Sequence, residues 1–269
     1  MRAGAVRQGG RRLVTALLVL GPTLADGAAL DPAELMHRVQ RNDAAPDERV
    51  DFTMRLVDAS GRVRERAGTV FARQVTPAAV DEMRLIRFHS PPDFSGSGVL
   101  TIEYPDRDHD QWVYLPAYHT TRRIAATNRS DRYLGTDFLY EDIMRTKIEE
   151  YRHTLRGEEP HDGVPCLVIE AVPVAEKLRR DTAYSKTVSW VDASRDVILA
   201  MDYYDRDGRL FKRFTVGPLE LVSGKYRPRE VRMEDLARHH TTVVTYHGWT
   251  IGAGVPEHYF TERYLKRGR

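Results

Sequence analysis

Residues 91–143 read PPDFSGSGVLTIEYPDRDHDQWVYLPAYHTTRRIAATNRSDRYLGTDFLYEDI. Val99 to Tyr104 alternates as a strand does, Asp106 to Asp110 is an acidic turn, and Gln111 to Leu115 alternates again, which predicts a hairpin. Pro116 ends the second strand or sets it at an edge, because proline cannot donate to the ladder. His119 to Ala125 reads as a third strand. Gly135-Thr136-Asp137 is a break and a cap, and Phe138 to Met144 reads as a short aromatic helical turn. Leu100, Ile102 and Tyr104 share the one strand face that is apolar throughout, so that face is expected inside. Trp112 and Tyr114, or Val113 and Leu115, join it from the neighbouring strand.

Outward from this stretch the same pattern repeats. Val50, Phe52, Met54 and Leu56 alternate with Asp51, Thr53 and Arg55, and Asp58-Ala59-Ser60-Gly61 turns the chain. Arg62 to Arg73 and Met83 to Ser90 follow as strands. Beyond the stretch, Tyr151 to Arg156, Val164 to Val174, Tyr184 to Val191, Val197 to Tyr204, Leu210 to Val216, Tyr226 to Met233 and Thr241 to Thr250 continue the series. Ala175 to Asp181 reads as a loop or one helical turn, and Val255 to Leu265 as a short helical or irregular close. Short strands, turn signals and almost no helical periodicity predict an antiparallel meander of roughly ten to twelve strands. A sheet that large must curl or be covered. One cover is an amphipathic helix: Asp31 caps it, Pro32 suits its first position, Glu34 closes a capping box, and Leu35, Met36 and Val39 share a face. The fold class is therefore mainly β, one curled antiparallel sheet with a few short capping helices.

Arg2, Arg7, Arg11 and Arg12 precede the apolar run Leu13 to Leu20, and small residues follow. This is the pattern of a cleaved signal peptide over residues 1–29, too short to span a bilayer, which leaves residues 30–269 as a single exported domain. The lone cysteine, Cys166, permits no internal disulfide and reads as a small buried hydrophobe. A formal charge of +2 gives no reason to expect nucleic acid.

Motifs for catalysis are missing: there is no nucleophile elbow, P-loop or dinucleotide fingerprint. Asp106, Asp108 and Asp110 have the opening spacing of a calcium loop, but Gln111 stands where glycine is needed and Ala117 at the terminal glutamate place. His239 and His240 are adjacent, so their rings point to opposite faces of a strand. The expectation is a protein that is not an enzyme, with no metal and no cofactor. Arg122 and Arg123 offer a site for an anionic head group, but Asp137, Glu141 and Asp142 are close downstream, and the favoured expectation is that Arg122 or Arg123 pairs with one of them and pins the aromatic segment to the sheet.

Gln111-Trp112-Val113-Tyr114-Leu115-Pro116, Arg122-Arg123-Ile124, Gly135-Thr136-Asp137-Phe138 and Tyr140-Glu141-Asp142 resemble the bacterial outer-membrane lipoprotein-sorting protein family, LolA-like, often found beside exporters of the resistance-nodulation-division type. The pattern has serine where this chain has Thr136. Gly96, Trp190-Val191-Asp192, Lys212, Val255-Pro256 and Phe260-Thr261 fit in order. The resemblance implies a half-open β-barrel capped by helices. It implies a monomeric periplasmic carrier of lipid or lipoprotein acyl chains, with an inner-membrane exporter as partner. A periplasmic module that senses lipid or lipoprotein is the alternative. The residues expected at the lipid site are Phe52, Met54, Leu100, Ile102, Tyr104, Trp112, Tyr114, Phe138 and Tyr140; Arg122, Arg123, Gly135, Asp137, Glu141 and Asp142 form the structural motif.

Overall fold

The structure, a computed structural model, describes Met1 and residues 30–268; the rest of the expected leader lies outside the described residues. The chain runs α1 (Pro32–Asp43), β1 (Asp47–Val57), β2 (Val63–Gln74), β3 (Glu82–Ser90), β4 (Gly98–Ile102), β5 (Asp110–Leu115) and β6 (Thr120–Arg123). Residues 124–150 follow without a strand. Then come β7 (Tyr151–His161), β8 (Val164–Pro173), α2 (Glu176–Asp181), β9 (Lys186–Asp192), β10 (Val197–Tyr204) and β11 (Leu210–Val216). The short pair β12 (Leu219–Val222) and β13 (Lys225–Pro228) precedes β14 (Glu230–Asp235), β15 (His240–Ile251) and α3 (Glu262–Arg267).

Thirteen strands form one sheet in the order β6-β5-β4-β3-β2-β1-β15-β14-β11-β10-β9-β8-β7, and β12 with β13 makes a separate two-stranded sheet. The expected single sheet is thus right for all but this hairpin, and the expected strand count was low. Tyr226 to Met233, read as one strand, is two: the chain leaves the small sheet at Pro228 and enters the large one at Glu230. The sheet does not close on itself, since β6 and β7 are both edges, which fits a half-open barrel.

That order has a consequence. The meander β1 to β6 runs outward to one edge, and β7 starts at the other. Residues 124–150 must therefore cross a whole face of the sheet, and they do so as a strap. Its aromatic side chains become the core. Tyr133 and Tyr140 pack with Phe52, Met54 and Leu56 of β1, Phe88, Val99 and Val113 of β3 to β5, and Val231 and Val244 of β14 and β15. Gly68 faces Phe52 across the β1–β2 pair, and a Cβ there would lie 2.7 Å from the Phe52 ring and 2.3 Å from the Arg87 carbonyl oxygen, so only glycine fits.

The opposite face of β3 to β5 is buried too. Leu85, Leu100 and Tyr114 pack under Val255, Phe260 and Leu265 of the C-terminal segment. Leu100 stands opposite Trp112, so Trp112 and Tyr114 join the Leu100 face and Val113 and Leu115 join the strap face. The expectation of one interior face is corrected: Val99 is as buried as Leu100. Covers on both sides remove the contrast that periodicity relies on.

At the other end, α1 lays Leu35 and Val39 on Ile169 and Val191. Asp31 caps it by accepting from the Ala33 amide at 3.0 Å. Glu34 does not complete a capping box; it accepts from Arg41 instead. Cys166 is buried on β8.

Candidate functional site

Beyond the Tyr133–Tyr140 core, the strap does not fill the space above β8 to β11. A cavity of about 430 Å³ remains there, roofed by α1, α2 and the second half of the strap. Alternation builds its floor. Met201 stands opposite Phe214 across β10 and β11, and Val216 stands opposite Val231 across β11 and β14. Met36 and Val39 of α1, Leu178 of α2 and Ile148 of the strap complete an apolar wall. Ile169 of β8 and Ile198 of β10 extend that wall, and the polar part of the lining includes Asp43, His109, Arg129, Glu141, Arg145, Lys147 and His153. A volume in this range, apolar with a limited polar rim, is that of a small-ligand pocket.

Three charged anchors hold the strap over it. Asp142 pairs with Lys212 of β11, both side chains at most 1% exposed. The same carboxylate accepts from the Leu139 amide at 2.6 Å and the Tyr184 hydroxyl at 2.5 Å. Glu141 accepts from the Thr182 hydroxyl at 2.7 Å and the Ala183 amide at 2.9 Å, tying the strap to the chain just after α2; burial raises its pKa. Asp137, fully buried, meets His240 Nδ1 at 2.6 Å and accepts from the Thr242 hydroxyl at 2.7 Å. In that same third anchor Arg132 lies 3.8 Å from Asp137 and reaches Asp235 of β14 at 2.6 Å.

A fourth cluster joins the strap to the start of the sheet. Arg145 lies 3.2 Å from Asp43, 3.3 Å from Glu82 and 3.5 Å from Glu103. Arg227 holds Glu48 at 2.8 Å. Four carboxylates share the arginines Arg84, Arg145 and Arg227: Glu48, Glu82 and Glu103 are buried, while Asp43 stands at the exposed rim. Burial first, and the neighbouring Glu82 second, push Glu103 up to about 7.

The expected pairing of Arg122 or Arg123 with Asp137, Glu141 or Asp142 does not form. Arg123 sits on the α3 face, opposite Trp112, and pairs with Asp110. Arg122 is exposed and makes no ion pair among the described residues. The cause is direction: β6 is an edge, and the strap leads away from it across the sheet. The carboxylates find cations that the topology brings from far along the chain. Asp108 pairs with Lys177 at 2.8 Å, and Asp110 with both Arg107 and Arg123.

None of the residues expected at the lipid site lines this cavity. Phe52 and Met54 are in the core beneath the strap, where the strap's own Tyr140 packs on them with Phe138 against that core. Phe138 packs on the lining residue Phe214, its ring 6.4 Å from that of Phe214. Leu100, Ile102, Trp112 and Tyr114 lie under the C-terminal segment, and the Tyr104 ring is covered by the Arg107 guanidinium at 3.4 Å. Gly135 has φ +76°, the left-handed turn the break needed. The Thr136 hydroxyl donates to the Tyr133 carbonyl at 2.7 Å, a bond serine makes equally. Met36, Met201, Phe214, Val216 and Val231 were missed; the alternation Lys212, Phe214, Val216 on one strand face was their signal.

Comparisons place the chain among known proteins. A family model described only as an uncharacterized protein matches residues 80–267. A DUF1329 family protein from Desulfovibrio piger is 29% identical, covering 88% of this chain and 100% of its own, with a TM-score of 0.81. A domain named for outer membrane lipoprotein sorting, from Vibrio parahaemolyticus, is 26% identical over 88% of this chain and 98% of its own, also at 0.81. A LolA superfamily protein from Nitrosomonas europaea shares the fold, at 20% identity over 88% of this chain and all of its own, TM-score 0.68. No curated protein matches.

Proposed function

This chain belongs to a LolA-like family, and from that premise we propose that it is a non-enzymatic carrier in the periplasm. The cargo is a lipid or the acyl chains of a lipoprotein, held in the cavity of about 430 Å³ between α1, α2, the strap and β8 to β11. The cavity is the observation that carries the reading. Its wall of Met36, Leu178, Met201, Phe214 and Val216 offers apolar burial, worth about 0.8 kcal/mol per methylene. The methionines suit cargo of variable shape, because their unbranched chains repack readily. The polar rim matches an amphiphile with its head toward water. The chain works as a monomer, loading from or passing cargo to an inner-membrane exporter.

The test is displacement of a fluorescent fatty acid, beside native mass spectrometry of protein purified from the periplasm. Wild type should bind the probe and carry lipid. Met201→Trp with Val216→Trp fills the floor and should weaken binding at least tenfold while melting stays cooperative. Wild type that binds no probe and carries no lipid would defeat the carrier reading.

A further inference from the structure

The C-terminal segment carries a feature that the cavity does not use. Leu265 of α3 is fully buried against β4 and its neighbours, which fixes which side of the helix faces out. Arg263, Lys266 and Arg267 stand at i, i+3 and i+4, so they share the outward side, and all three are exposed. None has an ion-pair partner among the described residues. Cations at a helix end commonly serve its dipole, yet here Arg87 already donates to the Tyr264 and Leu265 carbonyls, each at 3.0 Å. Arg73 donates to the Val255 carbonyl at 2.9 Å. Arg73 and Arg87 are thus satisfied by neutral main chain, and their charges add to the three outside. Only Glu257 and Glu262 oppose them within the segment.

The same segment and the edge strand it packs on carry aromatic groups. Tyr259 and Tyr264 are stacked at 4.1 Å, with the exposed His258 edge-on to both. Tyr118, 74% exposed, leads into β6, against which α3 packs. Amphipathic rings with a basic fringe are the composition that settles at a bilayer surface, rings at head-group level and cations on anionic lipid.

We propose that this face, α3 with Tyr118, docks the protein on the surface of an anionic membrane. The contact is peripheral, driven by charge and interfacial tyrosines. It lies on the opposite side of the sheet from the strap, so it does not depend on what the cavity holds.

The test is co-sedimentation of the purified full chain with vesicles of phosphatidylglycerol and phosphatidylcholine in equal parts, and with phosphatidylcholine alone, at low and high salt. Wild type should pellet with the anionic vesicles at low salt only. Reversing Arg263, Lys266 and Arg267 to Glu together should lower that partition by at least about tenfold; changing the three to Gln should lower it less. Tyr118→Ser should weaken it without altering the salt dependence. The cavity variant Met201→Trp with Val216→Trp should pellet like wild type, which separates docking from lipid uptake. Equal pelleting on neutral vesicles, or a charge-reversed protein that still folds and binds, would overturn the proposal. Capture by polyglutamate without vesicle binding would assign the face to an acidic protein and overturn it equally.

Discussion

Lys212 on β11 and Asp142 on the strap form an ion pair across 70 residues of sequence, with 0% and 1% of their side chains exposed. The ammonium also lies 4.8 Å from the Tyr203 ring and 5.1 Å from the Tyr184 ring. A charge pair this dry contributes little beyond what desolvation costs, but either member alone is a stranded charge. Lys212→Ala should therefore destabilise the protein by about 3 kcal/mol, read as the urea midpoint. A loss under about 1 kcal/mol would mean that water reaches the pair.

Asp137 and Arg123 should prove independent. Asp137→Ala leaves His240 and Thr242 without their acceptor in a buried place and should cost about 3 kcal/mol. Arg123, 63% exposed, is worth under about 1 kcal/mol. A double-mutant cycle between them should show no coupling beyond about 0.5 kcal/mol. Stronger coupling would restore the pairing that the sequence pointed to.

Glu103 gives a pH dependence with a definite sign. Its carboxyl titrates at about 7 in the folded protein, above the usual glutamate range. A raised pKa contributes stability that is whole below about 4.3 and lost as pH rises through about 7. His109 and His153 work the other way, since burial holds both below the usual histidine range. The informative quantity is thus the difference between wild type and Glu103→Gln. That difference should move in favour of the variant between pH 5 and pH 8, by urea titration at each pH. A difference flat in pH would place Glu103 in contact with water.

Leu265→Ala should separate stability from binding. The side chain is fully buried beneath the C-terminal helix, and its truncation should cost about 2 to 4 kcal/mol. The cavity lies on the other face of the sheet, so probe affinity in the still-folded protein should be unchanged. An equal loss of affinity would show that the two faces are coupled.

What the sequence determined alone is local. Alternation placed β1 as the row Val50, Phe52, Met54, Leu56, because a period of two is written into each strand. Asp31 and Pro32 set the start of α1, and Asp205 to Gly208 set a hairpin, because caps and turns are satisfied within a few residues. The ordered motifs from Gln111 to Asp142 pointed to the family. Tertiary structure alone decided the rest. The neighbours β1 and β15 come from opposite ends of the sheet's sequence, and only that pairing turns residues 124–150 into a strap. The strap then carries Asp137 to His240 and Asp142 to Lys212, partners no local rule could choose over the nearby Arg122 and Arg123. The cavity arises in the same way. A row such as Phe52 and Met54 becomes core where Tyr133 and Tyr140 of the strap lie on it, while Met201 and Phe214 become a wall where the strap leaves space. Burial at a sheet face is set by what crosses it, and a strand's own residues do not encode that.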